Sequence, residues 1–430
     1  MKETSMSSSV AEAPAPLSSL SLFDPAVLQC PHATYRRLRQ EAPVLRDPAT
    51  GIVQVSGYDL VCKVAYDHAT FSNRFGDALR GRGGPSPEAV AVMETGYPPM
   101  DTMLTADPPE QTRYRKLVSK AFTPARVVHM EAAIEALCNT LVDGFIDAGE
   151  VELVSAFSQA LPLRVIAGQL GVPLEDLPTF KRWSSAFVAQ LSQMAGPEAE
   201  LAAARDVVEF QHYFASVLDQ RRAEPRDDII SDLATVTLTE EGDPRALTTA
   251  EALSILQQLL VAGNETTAHT ITEGMKLLIE HPDQMEAVRA DHSLIPGLVE
   301  ETLRMLTPTQ NMWRIATRDC DVGGVAIAAG TVLLLRYGSA NRDEERFPDG
   351  ESFDIRRPNV KRHLAFGYGI HVCIGAPLAR KELLVAFRVL LDRIKGWRFA
   401  PGKNDFMHSP SILLRGMPHL HLQFDRPHTP

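Results

Sequence analysis

One cysteine, Cys373, sits in the stretch His363–Arg380 among three glycines, Gly367, Gly369 and Gly375, and an apolar helical pattern follows at once. Glycines this dense let a backbone turn tightly and approach another group closely. A cysteine just ahead of a helix meets free N–H groups and the positive end of the helix dipole, which favour a thiolate. Such a thiolate serves as a nucleophile or a metal ligand. Ligation is the better reading, because no Cys-x-x-Cys partner lies nearby and the flanking residues are mostly apolar. A second constellation, Ala262-Gly263-Asn264-Glu265-Thr266-Thr267, falls in the middle of the longest apolar-periodic pattern. Gly weakens a helix, and a Thr hydroxyl can bond the carbonyl four residues back, bending or opening it. Thr266 would reach Ala262 and leave room beside the groove. In isolation this motif reads as a packing notch.

The cysteine stretch closely resembles the ligand loop of the cytochrome P-450 family, Phe-Gly-x-Gly-x-His-x-Cys-x-Gly-x-x-Leu-Ala-Arg. Phe366, Gly367, Gly369, His371, Cys373, Gly375, Leu378, Ala379 and Arg380 all fall in place. The resemblance implies that Cys373 is the axial thiolate of a haem b iron, with Phe366, Gly367, His371 and Gly375 around the cofactor. The central segment resembles the family's oxygen-binding motif, Ala-Gly-x-(Glu/Asp)-Thr. That sets Ala262 and Gly263 against the haem and makes Glu265 and Thr266 the acid and alcohol that manage protons.

Three further stretches carry the resemblance. Asp-Pro-Pro-Glu-x-x-Arg-x-Arg, beginning at Asp107, resembles the helix that crosses the haem edge, and it implies a propionate bond from Arg115. Many relatives carry His where this chain has Gln111, whose amide can also donate. Glu301 and Arg304, at i and i+3, match the Glu-x-x-Arg helix and imply a buried structural pair. Arg314 and His363 fall on propionate positions. Ser352 stands where many relatives have an arginine that joins the Glu301–Arg304 pair, which leaves Arg356 or Arg357 to replace it.

These residues need scaffolding. Thr248-Thr249-Ala250-Glu251 reads as a capping box that opens a helix of roughly 33 residues, near 50 Å long, closed by His281-Pro282. Ile295 to Leu306 is another helix, broken by Thr307-Pro308. Upstream, Asp24 to Ala42 patterns as one amphipathic helix, Val44 to Val55 as a hairpin, and Asp59 to Asp67 as a helix. Arg80 to Thr105 is loose. Such a segment suits a lid carrying Met93, Tyr97, Met100 and Met103, and equally a plain surface loop. Asp107 is the candidate cap of the next helix. Several helices then span Val127 to Arg222, with breaks at Ala148-Gly149, Gly171-Val172-Pro173 and Gly196-Pro197. Two β-patterned runs, Cys320 to Ile327 and Thr331 to Tyr337, follow the Glu301 helix. The resemblance implies a mainly α fold with small β-sheets, a triangular helical prism with haem between the long central helix and the cysteine-loop helix. Residues 1–20, rich in Ser, Ala and Pro, read as a disordered lead-in to one haem domain over 21–430.

Hydrophobic content of 44% and charged content of 23% are those of a globular protein with ample core. No apolar run is long enough to span a membrane. Five widely spaced cysteines suit a reducing cytoplasm. The net charge of −11 disfavours nucleic acid and anionic membranes as partners. Against that acidity, Arg113, Arg115, Lys116, Lys120 and Arg126 form a local basic run with no acid after Glu110. Such a run is a solvated face or a dock. The resemblance implies a monooxygenase that takes dioxygen, a small organic substrate and electrons from a ferredoxin or flavodoxin-type donor. Arg113, Lys116 and Lys120 are the candidate dock for that acidic donor. Candidate substrate contacts are Gln258, Val261 and Ala262 on the Thr266 face, then Gln310, Asn311, Met312, Ser411 and Ile412. The three amides among them hint at a polar group on the substrate. A haem peroxygenase would not need the Glu265–Thr266 pair, and a haem sensor would need neither that pair nor a basic dock.

Overall fold

The computed structural model describes residues 16–17, 21, 23–76, 86–192, 196–238 and 245–426. Most of the N-terminal lead-in therefore lies outside the described residues. Leu17 does not, and it is buried against Tyr35 and Leu38. The expected Asp24–Ala42 helix is two helices, α1 (Pro25–Gln29) and α2 (His32–Glu41). Pro31 separates them, because a proline in a helix interior has no N–H to donate. Val44–Arg46 (β1) and Val53–Val55 (β2) form the expected antiparallel hairpin, and α3 covers Tyr58–Tyr66. Phe71–Ser72 is β3. Part of the loose stretch, residues 77–85, lies outside the described residues. The rest is partly ordered into α4 (Pro87–Met93), which Ser86 caps through its hydroxyl.

Helix α5 spans Glu110–Val118. Asp107 does not cap it, because the helix begins too late for the carboxylate to reach. Its oxygens instead accept from the Ser72 hydroxyl and the Asn73 N–H. Thr123 caps α6 (Pro124–Asp143), and β4 (Glu150–Glu152) follows the break at Gly149. Next come α7 (Ala160–Gln169), α8 (Leu177–Ser192), α9 (Pro197–Ala223), α10 (Ile229–Thr235) and the short β5 (Thr237–Leu238) and β6 (Arg245–Ala246). The breaks fall where glycine and proline were expected to put them.

Helix α11, Thr249–Glu280, is the axis of the molecule. The Thr248–Glu251 capping box is formed in both directions. Most of α11 is buried, as the middle of a multilayer helical core requires. After α12 (Pro282–Ala290) comes α13 (Ile295–Leu306), with the bounds the sequence pattern implies. Strands β7 (Asn311–Ala316), β8 (Cys320–Val322), β9 (Val325–Ile327) and β10 (Val332–Arg336) lead through α14 (Tyr337–Ala340) towards the cysteine loop. Helix α15 (Ala376–Arg393) leaves that loop, and β11 (Arg398–Phe399) and β12 (His421–Gln423) end the chain's regular structure.

The largest sheet has the order β1-β2-β10-β7-β3, in which β10 runs parallel to β2 and antiparallel to β7. All of β10 is buried, which explains its unbroken apolar run Val332–Leu335. The fold is mainly α with small sheets. Helices α11, α13 and α15 meet at Gly274, where an added Cβ would strike the Phe387 ring and Thr302. That close crossing fixes the central helix against the helix that follows Cys373.

Candidate functional site

Two elements, the central helix and the cysteine loop, carry the expected site residues. On α11, Thr266 Oγ1 donates to the Ala262 carbonyl at 2.8 Å, and Ala262 is exposed although its helix is largely buried. The helix stays continuous there rather than opening. In the loop, solvent reaches Cys373 although protein surrounds it. The Cys373 N–H donates to the Phe366 carbonyl at 2.8 Å, so Phe366 and Cys373 pin the two ends of the loop. Burial pushes the Cys373 thiol up, while the N–H groups of Gly375 and Ala376 and the Arg115 charge pull the other way. That pull is what a helix N-terminus and a nearby cation contribute to a thiolate. Gly369, at φ +74°, packs on the backbone of Ala65 at the end of α3, where a side chain would collide. The glycine-rich loop is thus moulded on both sides.

Helix α5 ties the loop to the central helix. Gln111 donates to the Ile370 carbonyl at 2.9 Å and is buried. Its amide therefore anchors the cysteine loop instead of reaching a haem edge. Tyr114 donates to Glu251 at 2.5 Å, which links α5 to the cap of α11. Burial pushes the Glu251 carboxyl up, but bonds from Arg245, Tyr114 and Thr248 outweigh it and hold it at about 2.

Around Cys373 the cations make no close ion pair with a carboxylate among the described residues. Arg314 is 1% exposed, and its NH1 donates to the Trp313 carbonyl at 2.7 Å. Burial works against its charge, with the Tyr337 hydroxyl beside it and the Asp107 carboxylate supporting it from farther off. Arg115 is half-buried, with the Cys373 sulfur as the charge that supports it. Among the described residues neither ring nitrogen of His371 has a full hydrogen-bond partner, and the Met103 backbone offers it only a weak one. Burial, then the Arg314 charge, drives its pKa down to about 4. Buried cations and buried donors left unpaired are costly, so this cluster calls for an anionic ligand. A haem with two propionates at its edge and a thiolate beneath its iron fits these residues.

Not every expected residue joins that cluster. His363 is tied to protein at both ring nitrogens, Nε2 to Glu300 at 3.0 Å and Nδ1 accepting from the Ala365 N–H at 3.1 Å. Both of its ring nitrogens are therefore committed to protein partners. Glu301 and Arg304 form a two-pronged pair, each bond 2.8 Å, with both side chains fully buried. Arg357, not Arg356, completes it through Nε to Glu301 at 3.2 Å. Ser352 contributes its carbonyl, which accepts from Arg304 and Arg357.

Several expected substrate contacts are also committed elsewhere. Gln258 donates to Thr102 at 2.6 Å and accepts from the Leu104 N–H at 3.3 Å, so it straps the loop to α11. Gln310 donates to the carbonyls of Leu306 and Thr307 and is buried. Asn311 donates to the Ile412 carbonyl and accepts from Arg336. Ser411 Oγ accepts from the N–H groups of Leu413 and Leu414. Ile412 is buried with Trp313 and Leu334. The sequence shows residue types but not which distant backbone claims an amide. Val261 and Met312 remain as partly buried apolar groups. Of the loop methionines, Met93 and Met103 pack on the core with Tyr97, and Met100 is 38% exposed with its N–H bound to Ser254.

Glu265 and Thr266 stand adjacent on α11, as the motif requires. Burial pushes the Glu265 carboxyl up, opposed by the Lys181 charge from α8. Lys116 on α5 and Lys120 in the turn after it are exposed, whereas Arg113 lies half-buried over the Tyr114 ring and donates to its hydroxyl. Sequence reasoning missed His269, whose Nε2 lies 3.5 Å from Glu265 Oε2. Its i, i+4 spacing from Glu265 was the available signal.

The family model for cytochrome P-450 matches residues 180–418, more than half of the chain. The chain belongs to the cytochrome P-450 family. It is 37% identical over 402 residues to the cytochrome P-450 monooxygenase PikC of Streptomyces venezuelae, spanning 92% of this chain and 91% of that protein. It is likewise 37% identical to the 6-deoxyerythronolide B hydroxylase of Saccharopolyspora erythraea, spanning 92% and 96%. The solved structure of cytochrome P-450 CYP109Q5 from Chondromyces apiculatus superposes with a TM-score of 0.83 at 38% identity, covering 96% of this chain and all of that one. This P-450 is a haem-iron monooxygenase that inserts one atom of dioxygen into a small organic substrate, with electrons from a redox partner. Among the described residues, no helix is long and apolar enough to cross a membrane.

Proposed function

We propose that Cys373 ligates a haem b held without covalent attachment, and that Arg115, Arg314 and His371 bind its propionates. The observation that carries this reading is the buried Arg314 and His371 beside the thiol, the first without a close carboxylate and the second with orphaned ring nitrogens among the described residues. No Cys-x-x-Cys pair is present to form thioether links, which supports haem b over a tethered haem. Phe366, Gly367 and Gly375 shape the sulfur side, and Ala262 and Gly263 leave the opposite face open. When bound, the haem supplies oxygen activation, which a thiolate ligand favours by pushing electron density onto iron.

The chain's own task is to deliver protons and hold the substrate. Thr266 spends its proton on Ala262, which leaves its oxygen free to accept from a water in the opening. Glu265, raised by burial, keeps a larger protonated fraction near neutrality than an exposed carboxyl and can replenish that water. Because the amide groups of Gln258 and Asn311 and the Gln310 Nε2 are spent on protein partners, the substrate is predominantly apolar. Val261, Ala262, Met103 and Met312 are the contacts proposed for it.

Electrons enter from a separate acidic ferredoxin or flavodoxin-type donor at the surface formed by α5 and the cysteine loop. Lys116 and Lys120 give that surface its charge, and exposed Tyr368 and Val372 give it apolar contact. Arg113 contributes less, because Tyr114 holds it. Free cysteines throughout the described residues support a cytoplasmic location. Turnover with isotopically heavy dioxygen tests the reading. One heavy atom in the product and one in water is the expected result, with Thr266→Ala diverting electrons to peroxide. A product without heavy oxygen would overturn it.

A further inference from the structure

The C-terminal half of α11 carries a polar file that the oxygen chemistry above leaves unused. Glu265, His269, Glu273 and Lys276 recur at helical spacing along one face. Glu265 Oε2 lies 3.5 Å from His269 Nε2. Four residues on, Glu273 Oε2 lies 3.6 Å from Nε2 of His408, which comes from the segment between β11 and β12. Lys276 Nζ stands 3.9 Å from Glu273 and 2.8 Å from Glu280, and Glu280 reaches the surface. The backbone of Gly416 lies flat against the His269 ring, so closely that any side chain at 416 would collide with it. Both ring nitrogens of His408 and Oε2 of Glu273 are buried without a hydrogen-bond partner. Orphaned groups of this kind are satisfied by buried water.

We propose that His269, Glu273 and His408 form a proton relay that feeds Glu265 from the solvent end of α11. They act as positioning and relay residues that touch neither haem nor substrate. The proposal rests on the reading of Glu265 and Thr266 as the proton-delivery pair. Reducing one oxygen atom to water consumes two protons, and the redox partner supplies the electrons. Glu273, with His408 and intervening water, takes a proton from bulk water and passes it to one nitrogen of His269. The other nitrogen of His269 releases its proton to Glu265, and the ring returns to its starting tautomer. Burial, with the His408 charge, drives the His269 pKa down to about 4, so the ring is neutral and able to accept. Burial pushes Glu273 up, but the nearby His408 ring and the charges of Lys276 and Arg415 hold it below the usual range. Lys181 of α8 is the remaining charge facing Glu265, and His32 borders His408 at the far end.

The test compares haem-loaded full-length protein with His269→Phe, which keeps the ring against Gly416, and with His408→Gln. Glu265→Gln and Thr266→Ala serve as controls. The relay predicts that His269→Phe slows coupled product formation roughly tenfold or more and enlarges the solvent deuterium isotope effect. His408→Gln changes both in the same direction by less. Haem content and substrate-induced spectral shifts stay as in the wild type. Infrared titration of the Glu265 carboxyl, assigned by difference against Glu265→Gln, moves to a new pH in His269→Phe. If the isotope effect and that titration are unchanged in both histidine variants while the two controls are impaired, the relay is wrong and the Glu265–Thr266 reading stands. If the controls too remain fully coupled, that reading falls and the relay with it.

Discussion

Two clusters of arginine and histidine flank the cysteine loop, and they differ in how their charges are met. Beside α13, each cation has an acid. Glu301 holds Arg304 and Arg357, and Glu300 holds Arg380 and His363. Around Cys373, Arg314, Arg115 and His371 make no close ion pair among the described residues, and Asp107 acts on Arg314 and His371 only from farther off. A satisfied cluster is a structural part. An unsatisfied one at the same depth is waiting for a ligand, because burying a charge without a partner costs more than a fold gains from it. The same residue type therefore has opposite meaning in the two places.

Breaking the satisfied cluster has the largest expected effect. Glu301→Gln strands two buried guanidiniums, and losing a partner from such a pair costs about 3–5 kcal/mol. Chemical denaturation of the haem-free protein, or failure to obtain folded protein at all, is the readout. Arg314→Met should behave in the opposite way. Removing a buried, uncompensated charge leaves the haem-free protein as stable or more so, while haem affinity falls roughly tenfold to a hundredfold. Competition for haem by a high-affinity haem-binding protein measures the loss. If both variants destabilised the haem-free protein alike, the contrast between the clusters would be false.

The two histidines sharpen the comparison. His371→Gln should weaken haem retention and spare the fold, whereas His363→Gln should weaken the fold and spare the haem site. The second change also alters acid stability. Burial pushes Glu300 up, but His363 and Arg380 outweigh it and hold the carboxyl at about 2. Its folded pKa lies below the unfolded value of about 4.3, so its stabilisation is complete above that pH and disappears as pH falls towards 2. Unfolding followed from pH 6 to pH 2 should therefore show a shallower acid dependence in His363→Gln than in the wild type. The smallest effect is expected at the surface. Lys116→Glu should raise the apparent KM for an acidic electron donor several-fold at low salt, as steering charges do, and leave peroxide-driven turnover unchanged. Equal KM values would remove α5 from the docking surface.

What was legible in the chain is local. The Thr248–Glu251 box, the bounds of α13 and the Thr266–Ala262 bond each depend on residues within one turn of one another, where sequence spacing determines geometry. The Glu301–Arg304 pair was legible for the same reason. What was not legible depends on segments far apart in sequence. Gln258 is claimed by Thr102, Asn311 by Ile412, Gln111 by Ile370, and His363 by Glu300. Arg356 and Arg357 are adjacent and alike in type, and only the turn after Asp354 decides which one points at Glu301. His408 could not be associated with Glu273 until the segment between β11 and β12 was seen packed on α11.

The central claim is that Cys373 supplies a thiolate ligand to haem iron amid buried cations that have no close carboxylate among the described residues. The most direct test is the carbon monoxide difference spectrum of the dithionite-reduced protein, beside that of Cys373→Ala. A strongly red-shifted carbonyl band in the wild type, lost in the variant, is the predicted result. Haem bound with an ordinary, unshifted carbonyl band in the wild type, or the shifted band persisting without Cys373, would contradict the account.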